Sequence, residues 1–438
     1  MQHSRRTFFR KAAAAAPIVY QLAKTGPRLK AAASPNDQIG LGYIGVGIRG
    51  TILLNEFKRI PGIRQIIAAD VYDGHLERFK ELTTSVTPTT PDYEEVLNNP
   101  EVDAVVIATP DHWHLKMTTE ALQAGKHVYI EKPMTWSLEE GPKIIAAERE
   151  SGRLLQVGSG PATSAITAKA KELIQQGAIG KVNMIRMANN RNSASGAWVY
   201  PIAPDASPQT IDWERFLGPA PQRDFDPAVF FRWRCWWEYS GGVATDLFVH
   251  LLTQLHEFMD VTAPKSVVSQ GGLYQWKDGR TVPDVLNSMF EYEEGFVADM
   301  YVNLCSAHSP HGVIVHGSKG ALELGARSRL ILHPEPPDRE ADPYATNSWP
   351  AAMQKQHFAA TGYSGQGVRR PPEKTVTVER GLEHTEYFIQ SLREGKPSVQ
   401  DASKGHYAAA AAHLANKAYR DSGVRVSWDY RTNRTGNV

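Results

Sequence analysis

Short apolar runs alternate with segments of helical periodicity between residues 39 and 158. The runs predict strands at Ile39–Gly45, Ile63–Asp70, Ala104–Thr109, His127–Ile130 and Leu154–Val157. Between them, apolar residues recur every three or four positions and predict helices at Ile48–Lys58, Gly74–Leu82, His114–Ala124 and Leu138–Glu150. Because strands that alternate with helices form parallel sheets covered on both faces, residues 34–158 are predicted to form a doubly wound α/β domain.

The pattern changes after Gly158, where apolar and polar residues begin to alternate one by one. It predicts strands at Lys181–Ala188, Ser266–Tyr274, Val285–Tyr292, Phe296–Leu304 and Gly312–Gly317, with helices at Ala165–Gln176, Glu383–Glu394 and Gly405–Arg420. Residues 159–438 are therefore predicted to be an α+β domain with an open, largely antiparallel sheet. The stretch at about 334–375, rich in Pro, Asp, Arg and Ser, predicts a surface loop insertion. An open sheet face also predicts a homodimer or homotetramer.

Residues 1–33 have the features of an export signal. Arg5 and Arg6 precede a mildly apolar stretch at 12–23, and three alanines at 31–33 offer a cleavage site. That stretch is too short for a membrane-spanning helix, which needs ~20 residues. The sequence therefore predicts a twin-arginine signal peptide and a periplasmic mature protein that is not held in the membrane.

The predicted signal carries seven basic residues and no acidic ones, so its removal changes the charge. The whole chain has 48 Lys+Arg and 47 Asp+Glu, which leaves 41 and 47 and a formal charge of −6. An acidic mature chain argues against nucleic acid and anionic membrane surfaces as partners. Cys235 and Cys305 are too few for a disulfide framework and are predicted to be structural thiols.

A glycine-rich turn follows the first predicted strand, in the segment Ile-Gly-Val-Gly-Ile-Arg-Gly. Gly45 permits the tight turn, Gly47 lets the backbone approach a pyrophosphate, and Gly50 allows close packing of helix on strand. The amides that open the next helix, at Ile48 and Arg49, would meet the phosphate charge. Asp70 ends the second strand, where its carboxylate can bind a ribose 2′-hydroxyl and would repel a 2′-phosphate. The sequence thus predicts a Rossmann domain that binds NAD in preference to NADP.

Two further strands end in residues suited to the same crevice, since ligands of such sheets lie beyond the carboxyl ends of the strands. Thr109, Pro110 and His114 follow one strand and are predicted to border the nicotinamide. His112, in the same segment, is predicted either to touch a ligand or to cap a helix. Glu131 and Lys132 end the next strand, from which the ammonium could bind a hydroxyl or, alternatively, pair with Glu131.

Asp246 and His250 lie four residues apart in a helix predicted from Val243 to Met259, hence on one face. A carboxylate that orients an imidazole makes a general base near neutral pH. A metal site of Asp246, His250 and His256 is a weaker interpretation, because the spacing fits no strong metal signature. No metal is predicted, and a purely structural histidine remains the other alternative.

Aromatic residues concentrate just before this helix, in the segment 230–239. Trp233, Trp236 and Trp237 offer flat faces for a sugar ring, and the interleaved arginines could bind its hydroxyls or a carboxylate. Core packing or a subunit contact would explain the same cluster. Arg191, with Asn192 beside it, lies beyond a predicted strand and is a further candidate for binding substrate.

Four segments together resemble the glucose-fructose oxidoreductase, inositol dehydrogenase and MocA (Gfo/Idh/MocA) family, in its exported branch. They are the glycine turn, Ala-Thr-Pro-Asp-His-Trp-His at 108–114, Glu131-Lys132-Pro133, and the pattern of Gly241, Gly242, Asp246 and His250. The resemblance implies that Lys132 lies in the active site. It also implies that His250 is the base at the reacting carbon, with Asp246 binding substrate and orienting the base.

The function expected from this resemblance is oxidation of a hydroxyl of a sugar or glycoside by NAD. Export from the cytosol, where free nucleotide is found, predicts a tightly held cofactor and redox-neutral turnover. An NAD-dependent glycosidase, working by oxidation, elimination, addition and reduction, is the second hypothesis. A sugar-binding protein without catalysis is the third.

Overall fold

The computed structural model describes residues 38–308, 312–325, 329–336, 343–361, 371–379 and 381–437. The predicted signal peptide at 1–33 lies outside these described residues. Among them, no helix combines the length and the apolar character needed to cross a membrane. Cys235 and Cys305 are both free thiols.

The first domain is a six-stranded parallel sheet in the order β3-β2-β1-β4-β5-β6. Its strands are β1 (Ile39–Ile44), β2 (Ile63–Ala69), β3 (Thr89–Thr90), β4 (Ala104–Ile107), β5 (His127–Glu131) and β6 (Leu155–Gly158). Its helices are α1 (Ile48–Phe57), α2 (Asp73–Leu82), α3 (Tyr93–Asn98), α4 (His114–Gln123) and α5 (Gly141–Ser151). The prediction of a doubly wound parallel sheet is confirmed, and β3 and α3 are the elements that the pattern did not predict.

The second domain contains a ten-stranded sheet in the order β14-β13-β12-β11-β7-β10-β9-β8-β15-β16. The strands are β7 (Val182–Ala188), β8 (Ser266–Gly272), β9 (Val285–Glu291), β10 (Val297–Asn303), β11 (Val313–Gly317), β12 (Gly320–Gly325), β13 (Arg329–Pro334), β14 (Lys374–Thr377), β15 (Val426–Asp429) and β16 (Arg434–Asn437). Among the described strands of this sheet, β7 and β10 form the one parallel pair, and the other pairs are antiparallel. The largely antiparallel sheet is therefore confirmed.

In the part of the chain that the structure describes, seven α-helices follow the first domain: α6 (Ala165–Gln175), α7 (Trp213–Leu217), α8 (Pro227–Phe231), α9 (Val249–Met259), α10 (Ala351–Thr361), α11 (His384–Glu394) and α12 (Ala402–Arg420). Helix α12 carries buried alanines and packs against α9 and β8, where small side chains let the backbones approach. Helix α11 packs instead on the first domain, where the Phe388 ring lies 5.5 Å from that of Tyr129. Helix α11 therefore contributes to the hydrophobic core of the first domain, although the predicted boundary at residue 158 assigns it to the second.

The segment at about 334–375 is not a plain loop. It contains a short turn of helix at Pro343–Thr346 and the eleven-residue helix α10, and β14 begins within it. Residues such as Ala, Met, Gln and Lys favour a helix in α10. No residue of α10 is buried, so the helix lacks the apolar stripe from which a sequence pattern is recognised.

Candidate active site

A cavity of about 900 Å³ opens between the two domains at the carboxyl ends of the parallel strands. This is where ligands of open α/β sheets bind. Thirteen of the predicted site residues line it: Gly45, Gly47, Ile48, Arg49, Asp70, Thr109, Pro110, Glu131, Lys132, Arg191, Trp233, Asp246 and His250. Residues more than 200 positions apart in the sequence therefore share one site.

The glycine turn has the geometry that a dinucleotide requires. Gly45 has φ of +82°, and a Cβ there would lie 2.8 Å from the Ala108 carbonyl oxygen. A Cβ on Gly50 would lie 2.2 Å from the Gly45 carbonyl oxygen, so only glycine lets α1 pack this close to β1. Helix α1 begins without a side-chain cap at Gly47. Its first amides are available to a phosphate, so the turn fits a pyrophosphate.

Asp70 lies at the end of β2 in the same cavity. One carboxylate oxygen accepts a hydrogen bond from the Val46 amide at 2.8 Å, and the other accepts one from the Tyr72 amide at 3.0 Å. His75 Nδ1 lies 3.2 Å from the second oxygen. Burial would raise the pKa of Asp70, but His75 and the two amides lower it overall. The group is therefore an anion placed to accept hydrogen bonds from ribose hydroxyls and to repel a 2′-phosphate.

Arg49 and Glu131 link the glycine turn to the end of β5. Arg49 Nε donates to Glu131 Oε1 at 2.7 Å, and the carboxylate is almost fully buried. A Cβ on Gly158 would lie 2.6 Å from the same carboxylate, which shows how tightly β6 encloses it. Glu131 therefore pairs with Arg49, and the alternative in which it pairs with Lys132 is not the arrangement found.

Lys132 makes its ion pair across the domain interface. Its Nζ lies 2.8 Å from Asp246 Oδ1 and 3.0 Å from the Asp246 carbonyl oxygen. Arg234 Nε donates to the same Oδ1 at 3.0 Å. Burial would raise the pKa of Asp246, but the two cations outweigh it and hold that pKa well below its usual value. One permanently ionised carboxylate thus positions two cations in the cavity.

His250 faces the cavity with neither ring nitrogen hydrogen-bonded to another described residue. Burial, followed by the nearby Lys132 ammonium, lowers the pKa of His250 to about 3. The imidazole is therefore neutral at physiological pH and can accept a proton. The predicted helix is found as a π-helical turn at Ala244–Phe248 that continues into α9. Asp246 lies in this wider turn and binds Lys132 and Arg234, rather than His250 as the α-helical spacing suggested.

Two family profiles cover most of the chain. Residues 39–159 match the Gfo/Idh/MocA profile described as an oxidoreductase family with an NAD-binding Rossmann fold. Residues 171–427 match the companion profile for the C-terminal alpha/beta domain. The chain belongs to the Gfo/Idh/MocA family. The first domain is accordingly an NAD-binding Rossmann domain, as its glycine turn and Asp70 predicted.

Individual Gfo/Idh/MocA relatives match over different lengths. The chain is 33% identical to scyllo-inositol 2-dehydrogenase (NAD(+)) of Bacillus subtilis (strain 168), over 84% of this chain and 98% of that protein. It is 29% identical to the uncharacterized oxidoreductase YrbE of the same organism, over 41% of this chain and about half (49%) of that protein. A solved levoglucosan dehydrogenase, in complex with NADH and levoglucosan, shares the fold. Its TM-score is 0.63 at 16% identity, over 92% of this chain and 99% of that one.

Four predicted site residues of this Gfo/Idh/MocA member do not line the cavity. Gly50 acts through helix packing, as described above. His114 lies beneath the site, with its ring nitrogens 2.7 Å from the Pro133 carbonyl oxygen and 3.1 Å from that of Thr109. Trp236 and Trp237 pack against the second core, and Arg420 stacks on Trp237. They fit the core-packing alternative, because the chain turns between Trp233 and Trp236 and only the first of these rings faces the site.

The motifs did not single out three further residues: His75 and Arg234 line the cavity, and Asp111 lies beside it, close enough to Arg234, Asp246 and Lys132 to interact with their charges. His75 lies in the first turn of α2, and the Asp70 carboxylate raises the pKa of His75 against the opposing effect of burial. Asp111 stands inside the quoted 108–114 segment, is 2% exposed and has one unpartnered carboxylate oxygen. Burial raises the pKa of Asp111 to about 8. An acidic residue among histidines at a strand end was the available signal.

The remaining histidines of these segments are structural in the described chain. His112 Nε2 lies 3.1 Å from the Phe216 carbonyl oxygen, which joins the 108–114 segment to α7. His256 Nε2 lies 3.1 Å from the Tyr292 hydroxyl. No group of three His, Cys, Asp or Glu side chains in the described ranges is arranged to hold a metal ion.

Proposed function

We propose that the protein is an NAD-dependent oxidoreductase that oxidises a ring hydroxyl of a carbohydrate. The observation that carries this proposal is that Lys132 from the first domain and His250 from the second face one cavity with the glycine turn. A hydroxyl bound between them would have an ammonium beside its oxygen and a neutral imidazole to receive its proton. Arg49, Asp70 and the turn at 45–50 would hold the cofactor.

Bound NAD⁺ supplies the two-electron acceptor for the carbon that loses its hydrogen. The ammonium of Lys132 stabilises negative charge that develops on the oxygen as the carbonyl forms. The neutral ring of His250 takes the hydroxyl proton. Asp246 and Arg234 fix the position of the Lys132 ammonium, so that the charge is already oriented before the substrate arrives.

The test measures absorbance at 340 nm while the purified mature protein is mixed with a panel of aldoses, inositols and methyl glycosides. At least one compound is expected to reduce the cofactor. If the nucleotide is bound and no compound of the panel reduces it, the protein is a binding protein without catalysis and the proposal fails.

We also propose that the cofactor stays bound through the catalytic cycle, so that turnover is redox-neutral. The buried Asp70 and the Arg49–Glu131 pair enclose the cavity near the turn, which supports slow release. Nanomolar retention needs about 12 kcal/mol of binding free energy. Denaturing freshly purified protein and separating the supernatant by chromatography should release about one NAD per chain. An empty supernatant would contradict this part.

A glycosidase that oxidises, eliminates, hydrates and reduces would use the same four residues, Lys132, Arg234, Asp246 and His250. Incubation with aryl glycosides in deuterated water separates it from a simple dehydrogenase. Elimination would release the aglycone and place deuterium at the carbon next to the oxidised one. Oxidation alone would do neither, and this is the result that we expect.

Export and assembly form the last parts of the proposal. The segment at 1–33 is proposed to direct the protein to the periplasm, so replacing Arg5 and Arg6 by lysines should block export and leave the protein in the cytoplasm. The outer face of the ten-stranded sheet carries the exposed Met289 and, in the same row across the strands, the half-buried Ile314, and we propose that a homodimer or homotetramer covers this face. Light scattering after gel filtration should give a mass two or four times that of one chain.

A further inference from the structure

Positive charge exceeds negative charge at one end of the cavity, which we call the substrate end. It comprises Lys132, Arg191, Tyr200, Arg234, Asp246 and His250, all of which line the cavity. Three of these six side chains are basic (Lys132, Arg191 and Arg234), and one is a carboxylate. Asp246 is already shared by Lys132 and Arg234, at 2.8 Å and 3.0 Å. His250 is neutral, so the substrate end has two uncompensated positive charges.

Arg191 is the cation that lacks an acidic partner. The nearest polar contact of its Nε is the Asn189 side-chain oxygen, at a long 3.4 Å. No carboxylate of the described residues lies within ion-pair distance of its guanidinium. Arg191 is close enough to His250 and Tyr200 to affect the pKa of each. Its free fork of donors therefore faces the space where substrate would lie.

Neighbouring acids do not cancel this charge. Glu131 belongs to Arg49, at 2.7 Å. Asp111 lies behind Arg234, but burial raises the pKa of Asp111 to about 8, so it carries a proton at neutral pH. The whole chain has a formal charge of only +1, so the excess of positive charge is a local property of the substrate end.

The loop that carries Arg191 is held in place at several points. The Arg191 amide donates to the Asn303 carbonyl at 2.9 Å. Further along, Trp198 is buried with φ of +62°, a conformation that a tryptophan rarely adopts. The Ala197 carbonyl accepts from the buried Arg280 at 2.9 Å. A strained backbone conformation persists only where the surrounding contacts enforce it. The contacts around Trp198 therefore hold this loop, which lines the site, in one conformation.

We infer that the substrate end binds a carbohydrate bearing a carboxylate, such as a uronic acid, and that Arg191 pairs with that carboxylate. This inference rests on the proposed function and names its substrate class. A planar guanidinium binds a carboxylate through two parallel hydrogen bonds. Trp233 supplies an aromatic face in the same lining, and Lys132 and His250 remain free for the reacting hydroxyl. A neutral sugar would leave Arg191 without a counter-charge.

The experiment compares sugars that differ only in the acid. Methyl glycosides of glucuronate, galacturonate and mannuronate are paired with those of glucose, galactose and mannose, and glucose 6-phosphate tests a different anion. The rate constant for reduction of the bound NAD, followed at 340 nm in a single turnover at several sugar concentrations, and binding by calorimetry are measured on the protein as purified. A hydrogen bond to a charged group contributes about 1.5–3 kcal/mol, so the preferred uronate should exceed its neutral partner by about 10- to 100-fold.

Arg191→Met should remove this preference by raising the uronate concentration that gives half the maximal reduction rate about 10- to 100-fold, with the neutral sugar changed less than about threefold. Arg191→Lys should keep part of it, because the charge remains and the fork is lost. Arg78→Met is the matched control, since Arg78 pairs with Glu81 on the exposed face of α2. Melting temperatures of the variants report whether each one folds.

Each outcome decides between the two claims. Equal use of acid and neutral sugars, or equal loss of both in Arg191→Met, overturns the inference and leaves the proposed function standing. Stronger use of glucose 6-phosphate than of any uronate overturns the assignment to a carboxylate. Arg191-dependent binding of a uronate that is never oxidised supports the inference and contradicts the proposed function. Failure of every sugar to bind overturns both.

Discussion

Lys132 and His250 have separate electrostatic roles in the same small volume. Lys132 forms an ion pair with Asp246, while His250 is kept neutral by burial and by Lys132 itself. The two groups therefore offer different chemistry to one substrate oxygen: Lys132 a charged donor, and His250 a neutral proton acceptor. A hydroxyl that loses a proton to one and gains charge stabilisation from the other needs this arrangement.

His250→Asn should lower kcat by about 10²–10⁴-fold, because the imidazole that accepts the hydroxyl proton is lost. NAD should remain bound, because the proposal gives His250 no part in holding the cofactor. In the unmodified protein, the pKa of about 3 keeps His250 neutral down to acid pH. The initial rate should therefore stay nearly constant between pH 7 and pH 5. A rate that falls with a midpoint near 6.5 would show that His250 has an ordinary pKa or that another histidine is the base.

Lys132→Met should lower kcat by about 10²–10³-fold, the effect of losing one charge-stabilising donor in a closed site. Arg234 would still hold Asp246, so the fold should survive and the melting temperature is the check. Lys171→Met makes the same change in a surface pair with Asp260 and should leave the rate unaltered. If both variants turn over at the normal rate, Lys132 is not the group that stabilises the oxygen.

Most of these site residues could be predicted from the sequence, and the exceptions have a common physical reason. Gly45, Asp70, Lys132 and His250 stand at fixed places relative to strand ends or helix faces, so motif and periodicity locate them. The role of Arg234 depends on the folded chain, which brings its guanidinium to Asp246. Trp236 and Trp237 belong to the same tryptophan-rich segment as Trp233, so the sequence does not distinguish them. In the structure, their rings pack against the core of the second domain, and the Trp233 ring faces the cavity.

The same distinction applies to helices and strands: those with a local sequence pattern could be predicted, and those that depend on long-range packing could not. The parallel strands β1, β2, β4, β5 and β6 are mainly apolar, and each is found within two residues of its predicted ends. Helix α10 has no buried side, so nothing in its periodicity marks it. The π-helical turn at Ala244–Phe248 is also beyond a pattern that assumes α-helical spacing, because packing against the second core determines it.

The contact between β1 and α1 gives a test of how the turn is built. Gly50→Ala would place a Cβ 2.2 Å from the Gly45 carbonyl oxygen, and α1 would have to move away from the sheet. We expect a loss of about 1–3 kcal/mol in the free energy of unfolding and weaker retention of NAD. Gly381→Ala is the control, since its nearest atoms would be 3.9 Å away. Unchanged NAD retention in Gly50→Ala would contradict the pyrophosphate assignment.

The folded chain keeps many of its described histidines neutral below their ordinary pKa. Burial lowers the pKa to about 4 or below for seven of them: His112, His114, His250, His256, His384, His406 and His413. The unfolded chain would protonate these rings as the pH falls through about 6.5, whereas the folded chain would not. Five groups act in the opposite sense: burial raises the pKa of Asp111 to about 8, that of Glu148 to about 7 and those of Glu56 and Glu140 above their usual value, and Asp70 raises that of His75. The seven histidines outweigh these five groups, so acid should favour unfolding.

Urea unfolding at pH 7 and pH 5 should therefore give a lower free energy of unfolding at pH 5. A single histidine kept neutral in the folded state contributes about 2 kcal/mol to this difference. His406→Leu removes one such ring, which is 2% exposed and has an unpartnered Nδ1, so the difference between the two pH values should shrink by about that amount. The comparison uses the slope with pH, because the substitution itself changes stability at both values. If His406→Leu keeps the full difference, or if the unmodified protein is more stable at pH 5, the buried histidines do not control its acid sensitivity.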